Sequence, residues 1–281
     1  MKKLLFAQYI DYANEKNRTT LIILNLLHEL RVMTLSQMTE MINLDFKMNK
    51  SAVAQQLSDL AKAGFVEKIR FGKEMCYYLT KLGHQSIGGV YTIPKVPEYN
   101  LHHYLAINCY LIQVMRLLKD HPRLKRFVSE RRQVYEAKDF NKENKGVKYF
   151  VADFQAVFKG EGVANEIIWY FEIELTMKTL RRYQNGIFPK YVHMLEKKEN
   201  DQLFYVTPNV SVKENLSYIQ TNLVYTELTN RAQGKTKMVK VGHKEVVAYD
   251  WTRRLHLMDD KNFYERLENF IPEAPGINWF E

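Results

Sequence analysis

Cysteine is scarce. The 281 residues hold two, Cys76 and Cys109, and no metal-ligand spacing joins them. That excludes a disulfide framework and a zinc site, and leaves both expected as packed thiols. No apolar run approaches the roughly 20 residues that cross a bilayer, so no membrane span is expected. There is no Gly-rich phosphate loop, no Ser-His-Asp set and no internal repeat, which removes P-loop chemistry, the serine-hydrolase arrangement and solenoid architectures. The start, "MKKLLFAQYIDYANEKN", pairs two lysines with a short apolar patch. Asp11 arrives early and no small-residue cleavage site follows, so no signal peptide is read and the expected location is the cytoplasm.

What is abundant is positive charge. The net charge is +9 and the isoelectric point about 9.2. Hydrophobic residues make up 46% and charged ones 26%, the usage of an ordinary globular chain, which excludes a disordered or fibrous one. The basic excess points to a polyanionic partner: nucleic acid first, with a membrane surface as the competitor. The length suits two domains.

From Arg18 to about Ser86 the periodicity reads helix, helix, helix, hairpin. "RTTLIILNLLHELRVM" places Leu21, Ile23, Leu24, Leu27 and Leu30 on helical spacing. "TLSQMTEMIN" sets Gln37 three residues after Thr34, a capping box in sequence form. "NKSAVAQQLSDLAKAG" offers Asn49 as a cap, an apolar row of Val53, Leu57 and Leu60, and Gly64 as the stop. Two strands then flank Phe71-Gly72-Lys73-Glu74. With "LSDLAKAGFVEKI" at its centre, this stretch resembles winged-helix DNA-binding domains. The resemblance implies that the third helix turns Ser51, Gln55, Ser58 and Lys62 toward base edges or phosphates, and that Lys68, Arg70 and Lys73 of the hairpin meet the backbone of double-stranded DNA. A solvated surface, or a protein-contact role, is the competing reading.

"GGVYTIPKVPEYN" interrupts both periodicities with Gly88, Gly89, Pro94 and Pro97, so the boundary is placed at 92/93: residues 1–92 as the winged helix, 93–281 as an α/β domain. "LHHYLAINCYLIQVMRLLKDHP" is a long amphipathic helix ending at Pro122. Its adjacent His102 and His103 lack the spacing that tyrosine relaxases use for metal. "KYFVADFQAVF" and "IIWYFEIELT" read as a hairpin centred near Gly162 and Val163. In the first strand Phe150, Ala152, Phe154, Ala156 and Phe158 are expected on one apolar face. Antiparallel pairing about that centre, through a loop without a bulge, sets Asp153 opposite or nearly opposite Glu172, on one face with Glu174. Carboxylates so close repel unless a cation lies between them, and oxygen ligands suit Mg²⁺ or Mn²⁺.

An Asp strand, a Glu-x-polar strand and a following helix resemble the core of PD-(D/E)XK nucleases. The resemblance implies a mixed sheet, Asp153, Glu172 and Glu174 as ligands of a Mg²⁺ or Mn²⁺ ion that activates water against a phosphodiester, and Glu130 of "RFVSERRQVY" as an added carboxylate. Glu174 stands where those enzymes carry lysine, so Lys178, Arg181 or Arg182 would supply the cation, Lys178 foremost. The order of winged helix, "HHYLAINCYLI", "SER", "ADFQAVF", "FEIELT", "LRRY" and "LFYVTPN" resembles the replication-relaxation family of plasmids and mobile elements, over Arg18 to about Asn222. It implies action at a plasmid origin or transfer region, with replication or transfer proteins or a second copy as partners. The competing reading of the acids is a network of ion pairs with Lys178, Arg181 or Arg182, in a degenerate nuclease fold that serves a non-catalytic regulator by clamping DNA or dimerising.

Tyr183 and Tyr191 are read as packing residues. "QLFYVTPN" is a central strand and "VKENLSYIQTNL" a helix behind it. "RAQGKTKMVKVGHK" carries Lys235, Lys237 and Lys240 without an acid, either a phosphate-contacting arm or a solvated loop. "EVVAYDW" is expected as a late strand and "KNFYERLENF" as a terminal helix. The fold class expected is α+β.

Overall fold

The computed structural model describes residues 1–5, 18–93, 95, 100–137, 150–160, 165–183, 187–195, 200–218, 238–241, 244–247, 254–259, 261 and 263–270. It divides into two compact units, Met1–Lys145 and Gly146–Glu281. Both helices and strands are well represented, and the class is mixed α+β as expected.

In the first unit the order is α1 (Arg18–Leu30), β1 (Val32–Thr34), α2 (Leu35–Asn43), α3 (Lys50–Lys62), β2 (Val66–Phe71), β3 (Glu74–Leu79), α4 (Lys81–Ser86), α5 (Leu101–Leu118), β4 (Leu124–Ser129) and α6 (Glu130–Glu136). α1 packs its Ile22, Ile23, Leu26 and Leu27 inward. It stops at Arg31, whose φ of 67° turns the chain into β1. The capping box forms: Thr34 accepts from the Gln37 N–H and the Gln37 side chain accepts from the Thr34 N–H. Asn49 occupies the N-cap of α3 with extended backbone, but its side chain makes no capping bond. Gly64, at φ 77°, ends α3, and Gly72, at φ 59°, makes the two-residue turn between β2 and β3. The three strands pair antiparallel in the order β1-β3-β2.

The boundary expected at 92/93 lies inside this unit. Leu101 and Leu105 of α5 share a core with Val32 and Cys76. Asn108 donates to the Val32 carbonyl at 2.7 Å and Gln37 to the Leu105 carbonyl at 2.8 Å, both buried. Glycine and proline in 88–97 interrupt the periodicity without separating the cores. Cys76 is buried as expected, whereas Cys109 is exposed and takes a contact from Gln37.

The second unit contains β5 (Phe154–Lys159), β6 (Glu166–Ile173), α7 (Leu180–Arg182), α8 (Phe188–Leu195), β7 (Gln202–Thr207), α9 (210–218), β8 (Met238–Val241), β9 (Lys244–Val247), β10 (Leu255–Asp259) and α10 (Phe263–Phe270). Its strands lie in the order β10-β7-β6-β5. β5 and β6 are antiparallel, while β6, β7 and β10 run parallel, so the sheet is mixed. One face stacks Phe154 on Phe171 and Phe171 on Phe204, with Trp169 between Phe158 and Phe204 and Phe263 of α10 against Phe171. The other face carries Tyr170, Leu203, Tyr205 and Leu255 against Phe188, Tyr191 and Leu195 of α8 and Val212 and Leu216 of α9. Such burial, at about 25 cal/mol per Å² of apolar area, is what holds a sheet between helical layers. Asp201, buried ahead of β7, accepts from the Ile168 N–H at 2.9 Å and the Tyr170 hydroxyl at 3.1 Å.

One sequence expectation changes here. The apolar row from Phe150 to Phe158 is split: Phe150 and Ala152 pack with Tyr170 and Tyr191, whereas Phe154 and Phe158 point to the opposite face. The chain bends at Asp153 and the alternation is reset there. Of "EVVAYDW", residues 245–247 fall in β9, which pairs with β8, and "LHLMD" forms β10 of the main sheet. Among the described residues no helix is long and apolar enough to cross a membrane.

Candidate functional site

β6 writes the site. Along "EIIWYFEI" the odd-numbered side chains, Ile167, Trp169, Phe171 and Ile173, are buried on the aromatic face, which leaves Tyr170 and Glu172 on the face covered by α8. The β5–β6 register ends with Phe154 opposite Phe171, so the next step along the ladder brings Asp153 beside Glu172. Here the regular ladder stops. The Asp153 N–H donates to the Phe171 carbonyl at 3.0 Å, and the Asp153 carboxylate accepts from the Ile173 N–H at 2.7 Å.

The two acids feel each other. The Glu172 carboxyl is held well above its ordinary value, first by burial and next by the negative charge of Asp153. Lys190 of α8, then Lys178, and the Tyr191 hydroxyl that donates to Glu172 pull in the opposite direction. Glu174, one residue past β6 and only 6% exposed, is committed elsewhere. Its N–H donates to the Val206 carbonyl at 2.9 Å, and its carboxylate takes an ion pair from the Lys178 ammonium and a 3.0 Å bond from the Tyr205 hydroxyl. The Lys178 N–H donates to the Tyr183 hydroxyl at 3.0 Å, and the Tyr183 and Tyr205 hydroxyls bond each other. Tyr183, Tyr191 and Tyr205 are all buried, and burial together with the neighbouring carboxylates pushes the Tyr191 and Tyr205 phenols up. They pack and donate protons, and none is exposed as a nucleophile. Arg181 and Arg182 are exposed, and of the cations expected to neutralise Glu174 the ion pair is made by Lys178.

In the first unit, Ser51, Gln55, Ser58 and Lys62 are all exposed on α3, and Lys68, Arg70 and Lys73 are exposed on the β2–β3 hairpin. Acids dilute this surface: Gln55 donates to Asp59 at 3.0 Å, and Lys62 lies 3.6 Å from the same carboxylate. Glu130 opens α6 and is bridged to Arg31 at 3.1 Å. Lys235 and Lys237 lie outside the described residues. Lys240 falls in β8, in register with Glu245 of β9.

Against known proteins, the replication-relaxation family model matches residues 24–201. The chain belongs to the replication-relaxation family. No curated protein and no solved structure matches it. Family membership points to a role in plasmid replication or relaxation. The replication-relaxation match takes in α3, the β2–β3 hairpin, Glu130, Asp153, Glu172, Glu174 and Lys178, and stops before the basic 231–244 segment.

Whether these residues fit a divalent ion is decided by their existing commitments. Glu174 already holds Lys178 and Tyr205, and among the described residues no three His, Cys, Asp or Glu side chains are arranged to hold a metal. Asp153 and Glu172 do fit. They are neighbouring carboxylates whose repulsion a cation would relieve, and Mg²⁺ characteristically takes one or two carboxylates and fills its other positions with water and phosphate oxygens.

A second polar cluster escaped the sequence reading. Glu29 of α1, 3% exposed, receives the Tyr91 hydroxyl at 2.9 Å and the Ser129 hydroxyl at 2.6 Å. Burial raises its carboxyl, while these donors, Arg132 and Arg131 oppose the shift. Arg131 donates to the His28 and Thr92 carbonyls and lies over the Tyr91 ring. His28 stacks on Tyr91 at 4.3 Å, and its Nε2 accepts from the Tyr91 N–H at 3.3 Å. The available signal was "HEL", two polar residues on the apolar side of an otherwise leucine-rich helix.

Proposed function

We propose that this replication-relaxation protein binds double-stranded DNA through its first unit and cuts one strand with its second. The first unit reads as a winged helix: α1-β1-α2-α3-β2-β3, with a three-stranded antiparallel sheet and a two-residue turn at the tip of β2–β3, is the element order that reading requires. Ser51, Gln55, Ser58 and Lys62 would face the groove, with Lys68, Arg70 and Lys73 on flanking phosphates. The second unit reads as a PD-(D/E)XK-like domain. The observation that carries cleavage is the convergence of Asp153 and Glu172 from adjacent strands. They would hold a Mg²⁺ or Mn²⁺ ion, which when bound activates water and offsets charge on the phosphodiester. The chain's own part is to aim the two carboxylates. The Ile173 N–H fixes Asp153, and the Tyr191 hydroxyl fixes Glu172. Lys178 and Tyr205 keep Glu174 from competing.

A specific observation favours a second reading. The Glu174–Lys178–Tyr205 network fills the place where a third acidic ligand was expected, as in a domain that clamps DNA or dimerises without cutting. Supercoiled plasmid incubated with Mg²⁺ or Mn²⁺ separates the two. Cleavage requires that the wild type yields open circles and that Asp153→Ala does not, while both bind DNA alike. Intact plasmid with the wild type, on DNA that it binds, establishes the clamp.

A further inference from the structure

Two cations act on Glu172, and they differ in what else they hold. Lys178 is spent: its ammonium pairs with Glu174 and its N–H is taken by Tyr183. Lys190 is not. It projects from α8 beside Tyr191, whose hydroxyl donates to Glu172, and it is exposed. Its ammonium lies 4.8 Å from the centre of the Phe150 ring, and Phe150 in turn sets its edge against Tyr170 and Tyr191. A cation resting on an aromatic face keeps its charge and much of its hydration, and it leaves that face cheaply for a stronger partner. The acid pair therefore has an exposed ammonium beside it, held in place by a ring.

We infer that Lys190 receives a phosphate of the nucleic-acid backbone at the Asp153–Glu172 pair, with Lys178 confined to holding Glu174 in place. The inference rests on the proposal that DNA reaches this acid pair, but it does not require that the strand is cut. Two carboxylates alone would repel a phosphodiester. An ammonium at the rim gives an incoming phosphate oxygen a contact of opposite charge, and that contact fixes where the backbone lies against the acids. Phe150 parks the ammonium while DNA is absent.

The test uses the full chain and a short duplex. In Ca²⁺, binding is followed by fluorescence anisotropy across a salt series for wild type, Lys190→Met, Lys190→Arg and Lys178→Met. One lost phosphate contact lowers the slope of log affinity against log salt by about 0.9. Lys190→Met is expected to lose that much. Lys190→Arg keeps the slope, because the charge is retained, and Lys178→Met keeps it as well, since its partner is a carboxylate of the protein. A packing role for Lys190 would not move a salt slope. The inference is overturned if Lys190→Met retains the wild-type slope, or if Lys178→Met loses as much. In parallel, plasmid nicking in Mg²⁺ should fall by at least tenfold in Lys190→Met, of the order expected when one charge-stabilising donor is removed. A wild type that leaves plasmid intact while Lys190→Met still loses its slope defeats cleavage alone and upholds the phosphate contact.

Discussion

Acid should unlock the first unit at His28. The imidazole is 5% exposed, stacked on Tyr91, and accepts from the Tyr91 N–H through Nε2, which it can do only when neutral. Burial, then the positive charges of Arg131 and His84, lower it from 6.5 to about 3. Because the folded value lies below the ordinary one, the stabilisation is complete above about pH 6.5 and drains away as pH falls toward 3. At about pH 4.5 the unfolded chain favours the protonated form by roughly a hundredfold while the folded imidazole is still neutral, so about 2–3 kcal/mol is lost. Glu29, raised by burial, works in the opposite sense, since its contribution is lost as pH rises. The comparison must therefore be between wild type and His28→Gln at each pH. Trp169, Trp251 and Trp279 all belong to the second unit, so tryptophan fluorescence would miss the event. Hydrogen exchange of the α1 amides reports it. Wild type should lose about 2–3 kcal/mol more protection than His28→Gln between pH 7 and pH 4.5, and equal losses would refute the account.

Other outcomes follow from named contacts. Tyr205→Phe keeps the ring in its core but withdraws a buried donor from the Glu174 carboxylate; urea unfolding of the second unit, read by tryptophan fluorescence, should show a loss of about 1.5–3 kcal/mol. Replacing Lys68, Arg70 and Lys73 together by Ala should weaken DNA binding and reduce its salt slope by roughly 2–3, and an unchanged slope would take the hairpin off the DNA.

Much of this was legible along the chain where the signal is local. The Thr34–Gln37 capping box, the stop at Gly64 and the two-residue turn at Gly72 each depend on a few adjacent residues, and each forms where expected. The Asp153–Glu172 pairing was also readable, because a hairpin's register follows from where its turn is centred. What was hidden depends on residues far apart in sequence. β10 is five residues with His256 and Asp259 among its apolar ones, too short to show a period, and it is a strand because β7 offers it an edge. Asn49 looked like a cap, yet which hydrogen bond a cap side chain makes is settled by its surroundings. Glu29 becomes an anchor only through Tyr91 and Ser129, 62 and 100 residues away. An ion pair of Glu174 with Lys178, Arg181 or Arg182 was readable as an alternative, but not that Lys178 makes it, because a side chain's preference among several neighbours is not written in its spacing.

The way α5 is knitted to β1 bears on how such a protein can be rearranged over time. Asn108 of α5 satisfies the buried Val32 carbonyl of β1 and Gln37 of α2 the buried Leu105 carbonyl of α5, and Glu29 is satisfied by Tyr91 of the connector and Ser129 at the end of β4. Cutting the chain at residue 92 would take these partners from the Val32 carbonyl and the Gln37 amide, and the Ser129 hydroxyl from Glu29, at a penalty of about 1–3 kcal/mol for each orphaned group. A gene fusion that borrowed only the compact helical head would inherit a destabilised fragment. The smallest heritable module runs on through "SERR", and breakpoints that preserve it should fall beyond α6.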